Sequence, residues 1–359
     1  MRILIVVPEQ DRISGNWVTA TRFQQGLRAH GQQVVVEETG LQPEPRFLDR
    51  IQAFAPDVTI LLHAYRTGKP WLEATAGRRL PTVVLLTGTD INHGLENPLQ
   101  QDVIHTILRQ AELVLLQNPL LAKAFSSSHP ELSVNLRELP PGIRLGKEEY
   151  HLRDRHQLAK DATLFLCPAG LRAVKGPLEL LELFDQVITH SSDVLLAFCG
   201  PIIEEEYSQR FLSALEARPW AHYLGAIPTE AMASAMREAD VVVNSSQTEG
   251  LANSLLEAAT LGIPILAHKI PGNIAIVQHE TNGLLYTSQE EFVVYSRQLL
   301  NRERRQQLSS PEPGRYDPDN EALALLRFLQ QAIQSGKQQT LSGSKKVFYD
   351  KGRRQKRLL

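Results

Sequence analysis

Short hydrophobic runs and amphipathic segments alternate along the chain. The first half contains five runs rich in Val, Ile and Leu, separated by segments of helical periodicity: Ile3–Val7, Gln33–Val36, Val58–Leu62, Thr82–Leu86 and Leu113–Leu116. A strand without polar alternation is buried on both faces, as in a parallel sheet covered by helices. The pattern therefore predicts a doubly wound α/β domain over residues 1–145.

The alternation stops between Leu139 and Tyr150, where prolines and glycines interrupt it, and then resumes. The second series of runs is Thr163–Cys167, Val194–Phe198, His222–Leu224, Asp240–Asn244 and Ile263–Ala267. It predicts a second parallel-sheet domain over 150–308, a C-terminal helix over 318–334 and a disordered tail over 336–359. Ligands of such α/β domains bind at the carboxyl ends of the strands, so we expect a site between the two domains.

Length and composition fit this organisation. The 359 residues are 42% hydrophobic and 22% charged, which suits two globular domains. Cys167 and Cys199 each end an apolar run and predict buried, reduced thiols in a cytoplasmic protein. No apolar stretch approaches the roughly 18 residues of a membrane span. The run Ile3–Val7 is also too short for a signal peptide and predicts a buried first strand.

Charge is unevenly distributed along the chain. The formal net charge is −2, but the segment 336–359 contains eight Lys or Arg residues and one acid, Asp350. An acidic body argues against nucleic-acid binding. The basic tail is either a solvated extension or a segment that associates with an anionic membrane surface.

The strongest chemical signal is a pair of glutamates in the second domain. Glu249 follows the run Asp240–Asn244, and Glu257 lies in the first turns of the helix expected after it. The N-terminus of a helix suits a pyrophosphate, and carboxylates beside it can accept hydrogen bonds from sugar and ribose hydroxyls. The sequence Ser254-Leu255-Leu256-Glu257 is alternatively a capping box, which alone would explain Glu257.

Two cations follow the first strand of the same domain. Arg172 and Lys175 lie in the glycine-bounded loop that follows Thr163–Cys167. Arg suits a bidentate contact with phosphate and Lys a point charge, so together they can neutralise a diphosphate leaving group. Such a pair in a loop is commonly solvated. Its expected position at the same sheet edge as Glu249 favours a role in binding.

These motifs resemble the donor-binding half of glycosyltransferase family 4. The loop from Gly170 to Gly176, the Glu249/Glu257 pair and the segments Leu261–Pro264 and Asn282–Leu285 match its pattern. The resemblance runs from Met1 to about Leu300 and is more specific in the second domain. It implies a GT-B fold, which consists of two Rossmann-like domains. It further implies a retaining hexosyltransferase that uses a UDP- or GDP-linked sugar donor and an acceptor, with no metal and no other cofactor.

The resemblance also implies residue roles. Arg172 and Lys175 would bind the donor phosphates, Glu249 the donor sugar and Glu257 the ribose. The remaining predicted donor-binding residues lie in loops at the same edge: Gly15, Gly170, Gly250, Leu251, Ala252 and Asn253. Gly15 would allow the backbone to approach the phosphates or the acceptor, unless it belongs to an ordinary turn.

Two departures from the family pattern affect the first domain and the Glu249 loop. Many members have a His after the fourth strand, where this chain has Thr87-Gly88-Thr89-Asp90, and a Gly where this chain has Ala252. We therefore predict that Asp90, as a catalytic residue, or His63, at the end of the third run, acts on the acceptor side. Asp90 is alternatively the cap of a helix beginning near Ile91, and His63 is alternatively structural.

Other functional classes are compatible with parts of the pattern. A nicotinamide-dependent enzyme is disfavoured because the loop from Pro8 to Asn16 has one glycine, Gly15, and no G-x-G-x-x-G fingerprint. A nucleotide-sugar epimerase or a phosphorylase of the same fold stays open, as does a non-catalytic protein that binds a nucleotide sugar.

Overall fold

The computed structural model describes residues 1–9, 14–76, 78, 80–88, 90–132, 134–188, 193–311 and 314–355, with the side chains of 92, 93 and 338–355 left out. Thr89, for which no separate role is predicted, lies outside the described residues. Within the described chain, no helix is both long enough and apolar enough to cross a bilayer. Both cysteines are buried and free.

The first domain is a six-stranded parallel sheet with the order β2-β1-β3-β4-β5-β6. Its strands are β1 (Arg2–Pro8), β2 (Gln33–Thr39), β3 (Val58–Leu62), β4 (Thr82–Leu85), β5 (Leu113–Leu116) and β6 (Leu136–Glu138). Its helices are α1 (Gly15–Ala29), α2 (Phe47–Phe54), α3 (Gly68–Ala74), α4 (Pro98–Gln110) and α5 (Pro119–Ser128), with a π-helical turn at Asp90–Gly94 and a 3₁₀ turn at Pro130–Leu132. Separate apolar clusters cover the two faces of the sheet.

The second domain repeats this architecture, with the strand order β12-β11-β10-β7-β8-β9. Its strands are β7 (Thr163–Pro168), β8 (Val194–Cys199), β9 (Ala221–Tyr223), β10 (Val241–Asn244), β11 (Ile265–His268) and β12 (Gly283–Tyr286). Its helices are α6 (Leu152–Arg155), α7 (Pro177–Ile188), α8 (Glu205–Glu216), α9 (Thr229–Arg237), α10 (Asn253–Leu261), α11 (Pro271–Ile274), α12 (Gln289–Leu300) and α13 (Arg302–Leu308), with a 3₁₀ turn at Ala173–Lys175. All strand pairs are parallel.

The last helix, α14 (Pro318–Gln355), returns to the first domain. Its apolar residues join the core beside α1, and Glu321 forms a buried ion pair with Arg22 of α1, with 2.7 Å between Nε and Oε2. Glu321 also accepts from Gln117 and from the backbone of Gly142, in the segment that joins the two domains. This helix runs beyond residue 334, so it includes much of the segment expected to be a disordered tail.

The predicted class, two Rossmann-like doubly wound parallel-sheet domains, is confirmed. Ten strands correspond to the ten apolar runs, and two were not predicted as strands. β6 is a short, partly exposed edge strand, and β12 is a buried strand of four residues that follows a turn at Thr281 and Asn282.

Candidate active site

The two domains enclose a cavity of about 560 Å³ at the carboxyl ends of both sheets. It is lined by the loops that follow β1, β3, β4 and β5 in the first domain and β7, β8, β9 and β10 in the second. Eleven of the twelve predicted site residues line it: Gly15, His63, Gly170, Arg172, Lys175, Glu249, Gly250, Leu251, Ala252, Asn253 and Glu257. Asp90 is the exception.

Lys175 and Glu249 form a partly buried ion pair. Lys175 Nζ lies 2.5 Å from Glu249 Oε1, which also accepts hydrogen bonds from Ser246 Oγ at 2.7 Å and Asn244 Nδ2 at 3.4 Å. Burial opposes the charge of this carboxylate, but the Lys175 ammonium and these hydrogen bonds hold the pKa of Glu249 below its usual range. Because all three donors use Oε1, Oε2 is the oxygen that a ligand hydroxyl can use.

Helix α10 directs its N-terminus into the cavity. It begins at Asn253, and its N-cap residue, Ala252, makes no side-chain hydrogen bond to the first backbone N–H groups. This arrangement suits a negatively charged group. The capping-box explanation of Glu257 is wrong, because Ser254 lies inside the helix rather than at its N-cap position.

Glu257 lies one turn into α10 and is buried, with 7% exposure. Burial raises the pKa of its carboxyl to about 7, and the positive charge of Arg22 partly opposes this rise. A carboxyl group that lines the cavity in this way can exchange hydrogen bonds with ligand hydroxyls in either protonation state.

Arg172 lies directly before the 3₁₀ turn that contains Lys175. Its side chain lines the cavity, and its Nε atom is buried without a hydrogen-bond partner. A buried donor without a partner costs free energy unless a ligand accepts from it. Within the described residues, no cluster of His, Cys, Asp and Glu side chains is arranged to hold a metal ion.

Asp90 does not face the cavity, which corrects the prediction that it contacts a substrate. Its carboxylate is fully buried and accepts hydrogen bonds from the backbone N–H groups of Ala64, Thr87 and Gly88, at 2.9–3.3 Å. The alternative, a cap for a helix beginning near Ile91, stays open, because a π-helical turn spans Asp90–Gly94. Asp90 also ties the loops after β3 and β4 together.

His63 ends β3 and lines the cavity with a left-handed backbone, φ +85°. Its Nδ1 accepts from the backbone N–H groups of Tyr65 and Arg66 at 3.3 and 3.2 Å, so the neutral ring carries its hydrogen on Nε2. Burial lowers the pKa of His63, which favours this neutral form. Such a ring donates a hydrogen bond from Nε2 and is a poor general base there.

The domains touch beside the Glu249 loop. Asn118, the N-cap residue of α5, donates from Nδ2 to the carbonyl of Gly250 at 2.9 Å and to that of Pro271 at 3.2 Å. Asn118, Asn244, Ser246 and Arg66 were not predicted as site residues. Their positions at or after the carboxyl ends of β5, β10 and β3 would have indicated them, because these buried strands end at the same sheet edges as the predicted residues.

The fold and the placement of the cavity define the GT-B architecture. Residues 149–311, which form most of the second domain, match the protein family described as Glycosyl transferases group 1. The two domains around the cavity and the structures most similar to the chain agree with this class of fold.

Similar proteins extend over both domains. The glycosyltransferase 1 domain-containing protein 1 of Xenopus tropicalis is 27% identical over 328 residues, which cover 89% of this chain and 94% of that protein. Sucrose-phosphate synthase from Thermosynechococcus elongatus superposes with a TM-score of 0.72 at 15% identity, covering 96% of this chain and 99% of that one. HepE of Anabaena in complex with UDP-glucose superposes with a TM-score of 0.68 at 18% identity, covering 95% and 100%.

Proposed function

We propose that this protein is a retaining glycosyltransferase of the hexosyltransferase type, which transfers a sugar from a UDP- or GDP-linked donor to an acceptor held by the first domain. One observation carries the proposal: Arg172, Lys175, Glu249, Glu257 and the N-terminus of α10 converge on one cavity. Cations and a helix N-terminus suit a diphosphate, and the two carboxylates suit hydroxyl groups. The complex of HepE with UDP-glucose supports the choice of a nucleotide-sugar donor.

Each residue has a place in this proposal. Arg172 and Lys175 bind the diphosphate and stabilise the charge that develops on it as the sugar departs. Glu249 accepts a hydroxyl of the donor sugar through Oε2, and Glu257 binds the ribose. The backbone at Gly15, Gly170 and the segment 250–253 surrounds the donor and positions it.

Retention of the anomeric configuration is consistent with the side chains that the first domain contributes to the cavity. Among the described residues that line the cavity, the carboxylates are Glu249 and Glu257, and both belong to the second domain. His63 carries its hydrogen on Nε2 and therefore does not offer a base to the acceptor. The departing phosphate is then the group that takes the proton of the acceptor.

Incubation of the purified protein with radiolabelled UDP- and GDP-sugars tests the proposal. Release of the nucleotide with transfer or hydrolysis of the sugar is the expected result, and Lys175→Ala should abolish it. Interconversion of the sugar would identify an epimerase, and release of a sugar 1-phosphate when inorganic phosphate is added would identify a phosphorylase. Binding without turnover would identify a non-catalytic nucleotide-sugar-binding protein.

We also propose that the protein is cytoplasmic and that its basic C-terminal segment associates with anionic membrane surfaces. The segment 336–359 carries a net charge of +7, whereas the remainder of the chain is acidic. Each Lys or Arg near an anionic bilayer contributes about 1 kcal/mol, so even partial engagement of the segment would retain the protein there.

A further inference from the structure

The wall that the first domain contributes to the cavity is positively charged. Among the described residues of that wall, the ionisable side chains are His63 and Arg66. Because burial keeps His63 neutral, the charge of this wall belongs to Arg66. No carboxylate of the described first-domain residues lines the cavity to offset it.

Arg66 is held in place by two contacts on its own domain. Its backbone N–H donates to Nδ1 of His63, and its Nη2 atom donates to the backbone carbonyl of Glu9 at 3.3 Å. Neither acceptor is charged, so neither contact neutralises the guanidinium. The side chain is nevertheless partly withdrawn from solvent.

A second arginine, Arg172, lines the same cavity from the second domain. Burial lowers the pKa of Arg66, and the positive charge of Arg172 lowers it further, so the two guanidinium groups repel each other across the cavity. Arg172 in turn has its Nε buried without a hydrogen-bond partner. An anion between the two walls would remove this repulsion and provide the missing acceptor.

The second domain already provides partners for the donor diphosphate. Arg172, Lys175 and the first turn of α10 all lie on that domain. These groups contact a bound diphosphate from the side of the cavity that the second domain forms. Arg66 lies on the loop that begins at His63, which is the acceptor side of the cavity.

We infer that the acceptor of this enzyme carries an anionic group, a phosphate ester or a carboxylate, that binds to Arg66 from the acceptor side of the cavity. The inference rests on the proposed function, because it assigns the wall opposite the donor site to the acceptor. With the donor diphosphate bound at Arg172, a neutral sugar or alcohol would still leave the Arg66 guanidinium without an anionic partner from the acceptor. It would therefore bind more weakly than an anionic acceptor of the same size.

Calorimetric titration of the UDP-saturated protein tests the inference with three probes that differ at one carbon: glucose, glucose 6-phosphate and glucuronate. Ionic strength is held constant. At least one of the two anionic probes is expected to bind at least tenfold more tightly than glucose, and the tighter one identifies the group. Arg66→Gln should remove the difference while UDP affinity changes less than twofold. Arg109→Gln, on the exposed surface of α4, is the matched control and should retain it.

Two results would overturn the inference. The first is the absence of any preference of the wild-type protein for the anionic probes, including the case in which none of the three binds. The second is a loss of UDP affinity in Arg66→Gln as large as that in Arg172→Gln, since Arg66 would then belong to the donor site. Failure of the wild-type protein to bind UDP or GDP would instead contradict the proposed function. Binding of inorganic phosphate to the nucleotide-free protein, compared between wild type and Arg66→Gln, would still test Arg66 in that case.

Discussion

A methyl group on Gly88 would lie 2.5 Å from the Cα atom of Gly250, so these two glycines bring the backbones of the two domains into direct contact. Gly88 also has φ +110°, a conformation that other residues rarely adopt. Gly250 follows Glu249, and its carbonyl accepts from Asn118 of the first domain. The contact between the two domains therefore positions the loop that contains Glu249.

Replacement of Gly250 by Ala tests this contact. A Cβ atom at this position would collide with the carbonyl oxygen of Thr87, while the backbone of Gly250 itself needs no glycine. We expect Gly250→Ala to separate the domains, to increase the radius of gyration measured by small-angle X-ray scattering, and to lower kcat at least tenfold. Unchanged scattering together with unchanged turnover would show that the contact does not determine closure.

We expect substitutions in the Lys175–Glu249 ion pair to change the stability of the protein as well as its activity. Lys175→Met leaves a buried carboxylate without its counter-ion, which costs about 3 kcal/mol of unfolding free energy. Glu249→Gln should cost less, because its amide oxygen can still accept from Lys175 and Ser246, but it should abolish sugar transfer. Guanidinium chloride unfolding of the two single variants and the double variant measures the coupling. Purely additive losses would contradict a direct ion pair.

The raised pKa of Glu257 predicts a pH-dependent stability. Its carboxyl titrates near 4.5 in the unfolded chain and at about 7 in the folded protein, so between these values the folded state binds the extra proton. The contribution of Glu257 to the free energy of unfolding is therefore greatest below about pH 4.5. It decreases as the pH rises to about 7, by about 3 kcal/mol at most. Glu257→Gln should be more stable than wild type at pH 8 and equal to it near pH 4.5. Chemical unfolding of both proteins at the two pH values measures this difference. A constant difference between them would contradict the assignment.

The sequence predicted the fold well because buried parallel strands produce uninterrupted apolar runs. It could not predict where α14 packs, since amphipathic periodicity shows that one face is buried but not against which domain. The Arg22–Glu321 pair that anchors this helix joins residues 299 positions apart. For the site, sequence placed carboxylates and cations at the sheet edges but did not give their directions. The carboxylate of Asp90 points away from the cavity, towards backbone N–H donors. The sequence also does not show that the side chain of Arg66 lines the same cavity as that of Arg172.

The basic tail provides a separate test, which is independent of catalysis. We expect a protein that lacks residues 337–359 to lose co-sedimentation with vesicles that contain anionic lipid, and to keep its turnover of a water-soluble acceptor. The full-length chain with the eight Lys and Arg residues of the tail replaced by Gln is the matched control, and should behave like the truncated protein. Equal vesicle binding by all three proteins would exclude membrane association through the tail.

Asp90 is predicted to support the acceptor side through its backbone contacts. In Asp90→Asn, one carboxylate oxygen becomes an NH₂ group that faces the N–H groups of Ala64, Thr87 and Gly88. A buried donor that loses its acceptor costs about 1–3 kcal/mol, so we expect a loss of stability of this size. Asp102→Asn, on the exposed surface of α4, should cost nothing measurable.

The same variant distinguishes a structural role of Asp90 from a direct one. Displacement of the loops after β3 and β4 would move His63 and raise the KM for the acceptor, while UDP affinity stays within about twofold because the donor domain is untouched. Thermal unfolding, UDP titration and steady-state kinetics on one preparation separate these effects. If Asp90→Asn were as stable as wild type yet lost transfer, the carboxylate would have to act on substrate, and its buried position in the structure would have to change during the reaction.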